Sequence, residues 1–176
     1  ILTRSLSSKI LYCLVPKIIF ILLVSFSCSA QTYNYYFGNL HAHTNYSDGN
    51  RDSVSSGISG PAESYTYAKL SNDFAFLGIS EHNHFSTTRN PGFKRHLYQP
   101  GLRCADSLNE EGNFLSLFGM EYGVSSNNNG HVIIYGFKQL IGWESNVASI
   151  AGPNYDIFNG RSDYGALFQK IKNRDS

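Results

Sequence analysis

The chain has 176 residues, of which 41% are hydrophobic and 15% are charged, so it carries enough apolar material for the core of about one domain. This composition excludes wholesale disorder. The formal net charge is +1, and three of the 14 Lys and Arg residues lie before residue 31, which leaves 11 basic against 13 acidic residues in the remainder. Without a basic patch, binding of nucleic acid through its phosphate backbone is disfavoured.

The first 30 residues are predicted to be a secretory signal peptide. Three basic residues precede an apolar run over residues 18–24, and small and polar residues follow as far as Ala30. This order is typical of an export signal, and the run is shorter than the roughly 20 residues that a spanning helix needs. We therefore expect cleavage after Ala30, export to the periplasm or the extracellular space, and no stable membrane span in the mature protein. An uncleaved N-terminal anchor and a lipoprotein attached through Cys28 are the alternatives.

Removal of the signal peptide would leave Cys104 as the only cysteine. A single cysteine cannot form an internal disulfide. The fold of residues 31–176 is therefore expected to depend on its core or on bound metal.

Residues 31–176 are predicted to form one α/β unit. In chain order, the predicted elements are a strand over residues 35–41, a polar loop over 44–60, a helix that opens at Pro61, a buried strand over 74–80, a loop over 83–100, a helix over 102–111, a strand over 114–120, a polar turn over 125–130, a strand over 131–136, an irregular stretch over 141–162, and a helix capped by Ser162 and Asp163. Strands that alternate with helices or long loops favour a mainly parallel sheet. The active sites of α/β barrels lie at the C-terminal edge of such strands.

Two histidines mark the end of the first predicted strand. His41 and His43 are separated by one residue, and in an extended segment residues i and i+2 point to the same side. Histidine is the commonest metal ligand, so the pair indicates a divalent cation, although two loop histidines at the surface explain it equally well. Asp48 follows in a Ser-Asp-Gly turn, from which it can fold over the same face.

The next two strands end on further ligand types. Glu81 and His82 follow the buried strand together, and Glu121 follows the third strand. Buried acids and imidazoles need partners, because burying them unpaired costs several kcal/mol. His131 opens the fourth strand after a short turn, so it is expected near Glu121. We interpret Glu81 as a group that orients the metal ligands without binding the metal itself, with direct metal binding as the less favoured role.

The distribution of the six histidines supports a shared site. Three of them, His41, His43 and His82, lie just past predicted strand ends, and His131 follows the turn after Glu121. His84 is expected one step further into the loop, outside the ligand set, and His96 is expected at the surface.

These motifs together resemble the PHP superfamily, the polymerase and histidinol phosphatase domains. The matching pieces are GNLHAHT at residues 38–44, SDG at 47–49, FLGISEHN at 76–83, GME at 119–121 and GHV at 130–132. The resemblance implies an α/β fold of the distorted (β/α)7 TIM-like barrel type. It also implies two to three divalent cations, Zn, Mn or Fe. The opening motif is also similar to a branch that includes a carbamate-ester hydrolase.

The resemblance also implies a role for each ligand. His41 and His43 would bind a first cation, Glu121 would bridge it to a second that His131 also binds, and Asp48 and His82 would bind a third. The family usually has Asp where this chain has Glu81. It also completes its site with a further His and a late Asp-x-His motif, which are not found after His131. Residues 31–176 are therefore expected to be the N-terminal part of a barrel truncated at its C-terminus, and inactive on their own.

The function expected from these features is metal-dependent hydrolysis. Cations in a close cluster would activate water as the nucleophile, and no GxSxG elbow is present. A phosphoesterase acting on a small substrate is the first interpretation. The alternatives are an amide, ester or carbamate hydrolase on the same metals, and a secreted module without catalysis whose metal set is incomplete.

Overall fold

A computed structural model describes residues 32–71, 73–83, 95–123, 130–143, 155–160 and 162–174. The chain divides into one unit of residues 1–35 and another of residues 36–176. The described part of the first unit, residues 32–35, contains no helix or strand. The predicted signal peptide and His84 lie outside the described residues.

No helix in the described ranges is both long and apolar enough to span a lipid bilayer.

The described residues of the second unit contain six strands and four α-helices. In chain order they are β1 (Gly38–Ala42), α1 (Ser53–Ser56), α2 (Pro61–Leu70), β2 (Phe76–His82), α3 (Tyr98–Leu108), β3 (Leu115–Tyr122), β4 (Val132–Tyr135), β5 (Ile141–Gly142), β6 (Ile157–Phe158) and α4 (Tyr164–Lys172). A 3-10 turn, Arg95–Leu97, leads directly into α3.

The main sheet has the strand order β1-β2-β3-β4. The first three strands are parallel, and β4 returns antiparallel to β3. The sheet curls into an open half-barrel, and β5 and β6 form a separate parallel pair. The mixed α/β class and the mainly parallel sheet expected from the sequence are thus confirmed, whereas the assignment to a partial (β/α)7 TIM-like barrel remains a prediction.

Helices α2 and α3 pack against one face of the sheet. Tyr65 of α2 is fully buried and donates a hydrogen bond to the carbonyl of Leu117 at 2.6 Å. The ring of Phe118 lies so close to Gly101 of α3 that a β-carbon at Gly101 would overlap it. Each large apolar side chain buried in this layer contributes about 1.5 to 3 kcal/mol. The packing identifies the even-numbered residues of β3 as the helix-facing side.

Helix α3 begins four residues before the predicted start at residue 102 and ends at Leu108 instead of residue 111. The prediction of a loop as far as residue 100 was wrong because Pro100 and Gly101 were interpreted as breakers. Pro100 lies in the first turn of the helix, where backbone N–H groups have no intrahelical acceptor. The N–H that proline lacks therefore costs the helix no hydrogen bond. Gly101 is required for contact with the sheet.

Three strands both begin and end later than predicted, since β1 starts at Gly38, β2 at Phe76 and β3 at Leu115. His41 lies within β1, and β2 and β3 continue to His82 and Tyr122 instead of stopping at residues 80 and 120. The predicted position just past the strand ends was therefore wrong for His82 and Glu121, which still pair in the parallel ladder, whereas His43 does follow β1 directly.

Smaller differences occur in the predicted loops. Residues 44–60 include the single-turn helix α1, and residues 141–162 include β5 and β6. The last helix agrees with its prediction, since Asp163 caps α4 by accepting a hydrogen bond from the Ala166 amide at 2.9 Å.

Candidate metal centre

The pairing of β2 with β3 places His82 beside Glu121. The two residues are register partners in adjacent parallel strands, so their side chains leave the sheet on the same side. His82 Nδ1 lies 3.1 Å from Glu121 Oε2. Both occupy the face opposite α3, because the adjacent Met120 lies on the helix-facing side with Phe118. The end of these two strands thus carries one imidazole and one carboxylate to a common point.

Strand β1 and the residue that follows it add two more imidazoles. The pairing of β1 with β2 shifts by one residue between Asn39 and Ala42, as a β-bulge does. Such a bulge re-aims the side chains that follow it. The Nε2 atoms of His41 and His43 lie 2.9 Å apart, and they lie 3.2 and 3.0 Å from Glu121 Oε2.

A tight loop brings Asp48 back to the same place. The Gly49 amide donates to the Thr44 carbonyl at 2.9 Å, and a β-carbon at Gly49 would overlap the His43 carbonyl. Only glycine therefore allows this closure. Asp48 Oδ1 lies 3.2 Å from both His43 Nδ1 and His82 Nε2.

His131 approaches Glu121 from the residue directly before β4, which spans Val132–Tyr135 and not the predicted residues 131–136. Its Nδ1 contacts Glu121 Oε1, the carboxylate oxygen that the other imidazoles leave free. The ring crosses Gly123, where a β-carbon would lie 2.7 Å from His131 Cδ2. The absence of a side chain at Gly123 therefore leaves the space that the His131 ring occupies.

The electrostatics centre on Glu121, whose side chain is 3% exposed. Burial opposes its ionisation, but the imidazoles of His43, His82 and His131 outweigh burial and hold the pKa of the Glu121 carboxyl far below its ordinary value. Burial likewise lowers the pKa of His43, yet Glu121 and the nearby carboxylates outweigh it and raise that pKa above 6.5.

These residues fit a bound cation. Ligand atoms that share one cation at about 2.1 Å lie roughly 3.0 to 3.4 Å apart. The three atoms contributed by His41, His43 and Glu121 are 2.9 to 3.2 Å apart. Glu121 Oε2 is buried and accepts no hydrogen bond with acceptable angles from the described groups, although three imidazole nitrogens surround it. A cation between them would satisfy this oxygen.

A second set of ligand atoms adjoins the first. His43, Asp48 and His82 offer atoms that all lie within 4.8 Å of one another. A neutral imidazole has one lone pair for a cation. His43 belongs to both sets, so it serves one cation and presents its other nitrogen to a carboxylate.

Glu81 lies on the other face of β2. Its register partner is Met120, on the helix side, so strand alternation separates it from the neighbouring His82. Its carboxylate is fully buried and accepts hydrogen bonds from the Thr44 amide at 3.0 Å, the Thr44 hydroxyl at 2.5 Å and the Ser47 hydroxyl. Glu81 therefore holds the loop that carries His43 and Asp48 and contacts no ligand by a hydrogen bond.

All six residues predicted as ligands lie in one cluster: His41, His43, Asp48, His82, Glu121 and His131. His96 lies in the 3-10 turn and is exposed, as expected. The sequence interpretation missed Asn83, which is buried, accepts from the Gly123 amide at 3.2 Å and donates to the Ile141 carbonyl at 3.1 Å. A polar residue directly after a buried strand was the available signal. The interpretation also missed Arg51 beside Asp48.

The fold and the site together define a mixed α/β chain with histidine and carboxylate groups that could hold a metal ion. Comparison of the chain with family models, curated proteins and solved structures found no match.

Proposed function

We propose that this protein is a metal-dependent hydrolase whose preferred substrates are small phosphate esters. The observation that carries the proposal is the convergence of four imidazoles on the two oxygens of one buried carboxylate, Glu121. A structural zinc site is disfavoured, because these ligands come from separate strand ends and include no cysteine pair.

The ligands form two sets in this proposal, and His131 contacts the carboxylate of the first. His41, His43 and Glu121 bind one cation, and Asp48 with His82 binds a neighbouring one. When bound, divalent cations lower the pKa of water and offset the negative charge that develops on the substrate oxygens. Glu121, held ionised by its surroundings, supplies the anionic charge that keeps two cations close.

The exposure of the ligand side chains shows where the centre meets solvent. The side chains of His41 and His131 are 49% and 42% exposed, whereas those of His82 and Asp48 are 15% and 16% exposed. The centre is therefore most open to solvent at His41 and His131. Glu81 and the helix layer close the opposite side and exclude water from it.

Export is part of the proposal. The order of basic, apolar and small residues before residue 31 supports secretion, so the reaction would take place outside the cytoplasm. A chain with no basic patch suits a small substrate better than a nucleic acid.

Substrate assays on the full-length protein loaded with Mn²⁺ or Zn²⁺ test the proposal. We expect hydrolysis of p-nitrophenyl phosphate. We also expect His41→Ala to lose at least about 100-fold in kcat/KM together with bound metal, because removal of a ligand exceeds the effect of an outer partner. His96→Ala, which removes an exposed histidine away from the cluster, is the matched control and should keep wild-type rates.

Two results would contradict the proposal at different levels. Hydrolysis of p-nitrophenyl acetate alone would exclude the phosphoesterase and favour the ester or carbamate hydrolase. A metal-loaded protein that turns over neither substrate would exclude hydrolysis of both classes.

A further inference from the structure

Arg51 is a cation at the edge of the metal centre, and the ligand set does not use it. Its Nε donates to the Asp48 carbonyl at 3.0 Å, and its Nη2 lies 3.4 Å from Asp48 Oδ2. The other oxygen of Asp48 is the one that faces His43 and His82. The guanidinium is therefore separated from the imidazoles by a single carboxylate.

The geometry of this arginine differs from that of an ordinary surface ion pair. An exposed pair contributes little because both side chains are free to move. Here the carboxylate partner is 16% exposed and fixed by two imidazoles, and a bond to the backbone fixes the arginine head. The position of the guanidinium is thus set by the same loop that positions Asp48.

Most donors of Arg51 remain available. A guanidinium has five N–H donors, and two of them are used within the described part of the chain. The side chain is 71% exposed, so the others face solvent. Planar paired donors match the oxygens of a phosphate group, which accepts two parallel hydrogen bonds.

Three other basic side chains of the described residues have partners elsewhere. Lys69 pairs with Glu110, Arg95 pairs with Asp156, and Lys170 donates to Asn159. None of these partners belongs to the metal centre. Arg51, by contrast, is bound to Asp48, a member of the cluster.

We propose that Arg51 binds the phosphate group of the substrate at the rim of the metal centre and makes the site selective for phosphate monoesters over uncharged esters. The inference rests on the proposed hydrolase function and adds the residue that determines its substrate selectivity. A dianionic phosphate can contact the guanidinium and the cations together, whereas an uncharged ester gains nothing from Arg51.

Calorimetric titration of the Mn²⁺-loaded full-length protein with inorganic phosphate tests this role without turnover. We expect Arg51→Gln to weaken phosphate binding about tenfold, the effect of losing a hydrogen-bonded charge. Arg51→Lys should recover part of the loss, because it keeps the charge but not the paired donors. Arg103→Gln on the exposed side of α3 makes the same change in net charge and should bind as wild type.

Steady-state kinetics give the second readout. The KM for p-nitrophenyl phosphate should rise about tenfold in Arg51→Gln with a smaller change in kcat, since the lost contact acts in the ground state as well. Wild-type phosphate affinity in Arg51→Gln would overturn the inference, and so would a parallel loss of bound metal, which would show that Arg51 only supports Asp48. Phosphate binding that depends on Arg51 in a protein without turnover would instead reject the proposed hydrolase.

Discussion

Glu121→Gln is expected to abolish tight metal binding while the chain stays folded. Glutamine keeps the size of the side chain and removes the negative charge around which four imidazoles gather. Asp48 is left as the single anionic ligand of the cluster, and one carboxylate does not balance two divalent cations at close range. The affinity should fall by more than about 100-fold, beyond the effect of losing an outer partner of a metal.

The titration is best performed at pH 8 and followed through Trp143. This is the only tryptophan, and its indole donates to the Gly123 carbonyl at 2.7 Å, two residues from Glu121. Because the pKa of His43 is raised above 6.5, a proton competes with the cation at neutral pH, and affinity falls further on acidification. At pH 8 this competition is smaller, so the loss of metal affinity in Glu121→Gln measures the contribution of the Glu121 carboxylate.

Glu111→Gln provides the matched control. It makes the same change in charge at an exposed turn before β3, at the other end of the strands from Glu121. Far-ultraviolet circular dichroism should show both variants folded. A Glu121→Gln protein that binds Mn²⁺ with wild-type affinity would contradict the placement of Glu121 at the centre.

Glu81→Ala is expected to cause the second large effect, through the loop between β1 and α1. The substitution removes a buried acceptor from the Thr44 amide and from the Thr44 and Ser47 hydroxyls. Leaving buried donors without acceptors, together with the space left behind, should lower the free energy of unfolding by about 3 to 5 kcal/mol. Urea denaturation of the metal-free protein measures this change.

Glu81→Gln distinguishes the hydrogen bonds from the charge. Burial raises the pKa of the Glu81 carboxyl against the opposing hydrogen bonds of Ser47 and Thr44, so ionisation is already disfavoured there. An amide offers an oxygen to Thr44, and the Ser47 hydroxyl can rotate to accept from the amide nitrogen. We therefore expect this variant to retain most of the stability and both cations.

The effect on metal separates a positioning role from a general loss of stability. The loop held by Glu81 carries Asp48, so Glu81→Ala should weaken the cation bound by Asp48 more than the one bound by His41. Wild-type stability and wild-type metal content in Glu81→Ala would show that the loop does not depend on this carboxylate.

Much of the cluster could be predicted because strand ends impose an order on the ligands. Apolar runs end at His82 and Glu121, and parallel strands with adjacent ends bring these residues to one edge. The i, i+2 spacing of His41 and His43 predicted their convergence. Their imidazole nitrogens do lie within hydrogen-bond distance.

Other features depend on contacts that no local pattern contains. The register shift in β1 is visible only once β1 is paired with β2. The start of α3 was obscured because Pro100 is tolerated in a first turn, and the apolar spacing does not show where that turn lies. Side chains alternate between the two faces of β2, and the sequence does not show which face α3 covers. The side on which Glu81 lies is therefore known only from the packed structure.

The partners of Asp48 show the same limit. Ser-Asp-Gly predicts a turn, but only the closed loop shows that Gly49 must lack a β-carbon for Asp48 to reach His43 and His82. The position of the Arg51 guanidinium depends on the same closed loop, since its Nε donates to the Asp48 carbonyl.

X-ray absorption at the zinc edge of the Zn²⁺-loaded full-length protein tests the shared centre most directly. The ligand atoms of the cluster predict a first shell of imidazole nitrogen and carboxylate oxygen at about 2.0 to 2.2 Å, with the outer scattering of at least two histidine rings. Zinc lost on dialysis, a shell without imidazole, or sulfur at about 2.3 Å would contradict the assignment of these residues to a metal centre.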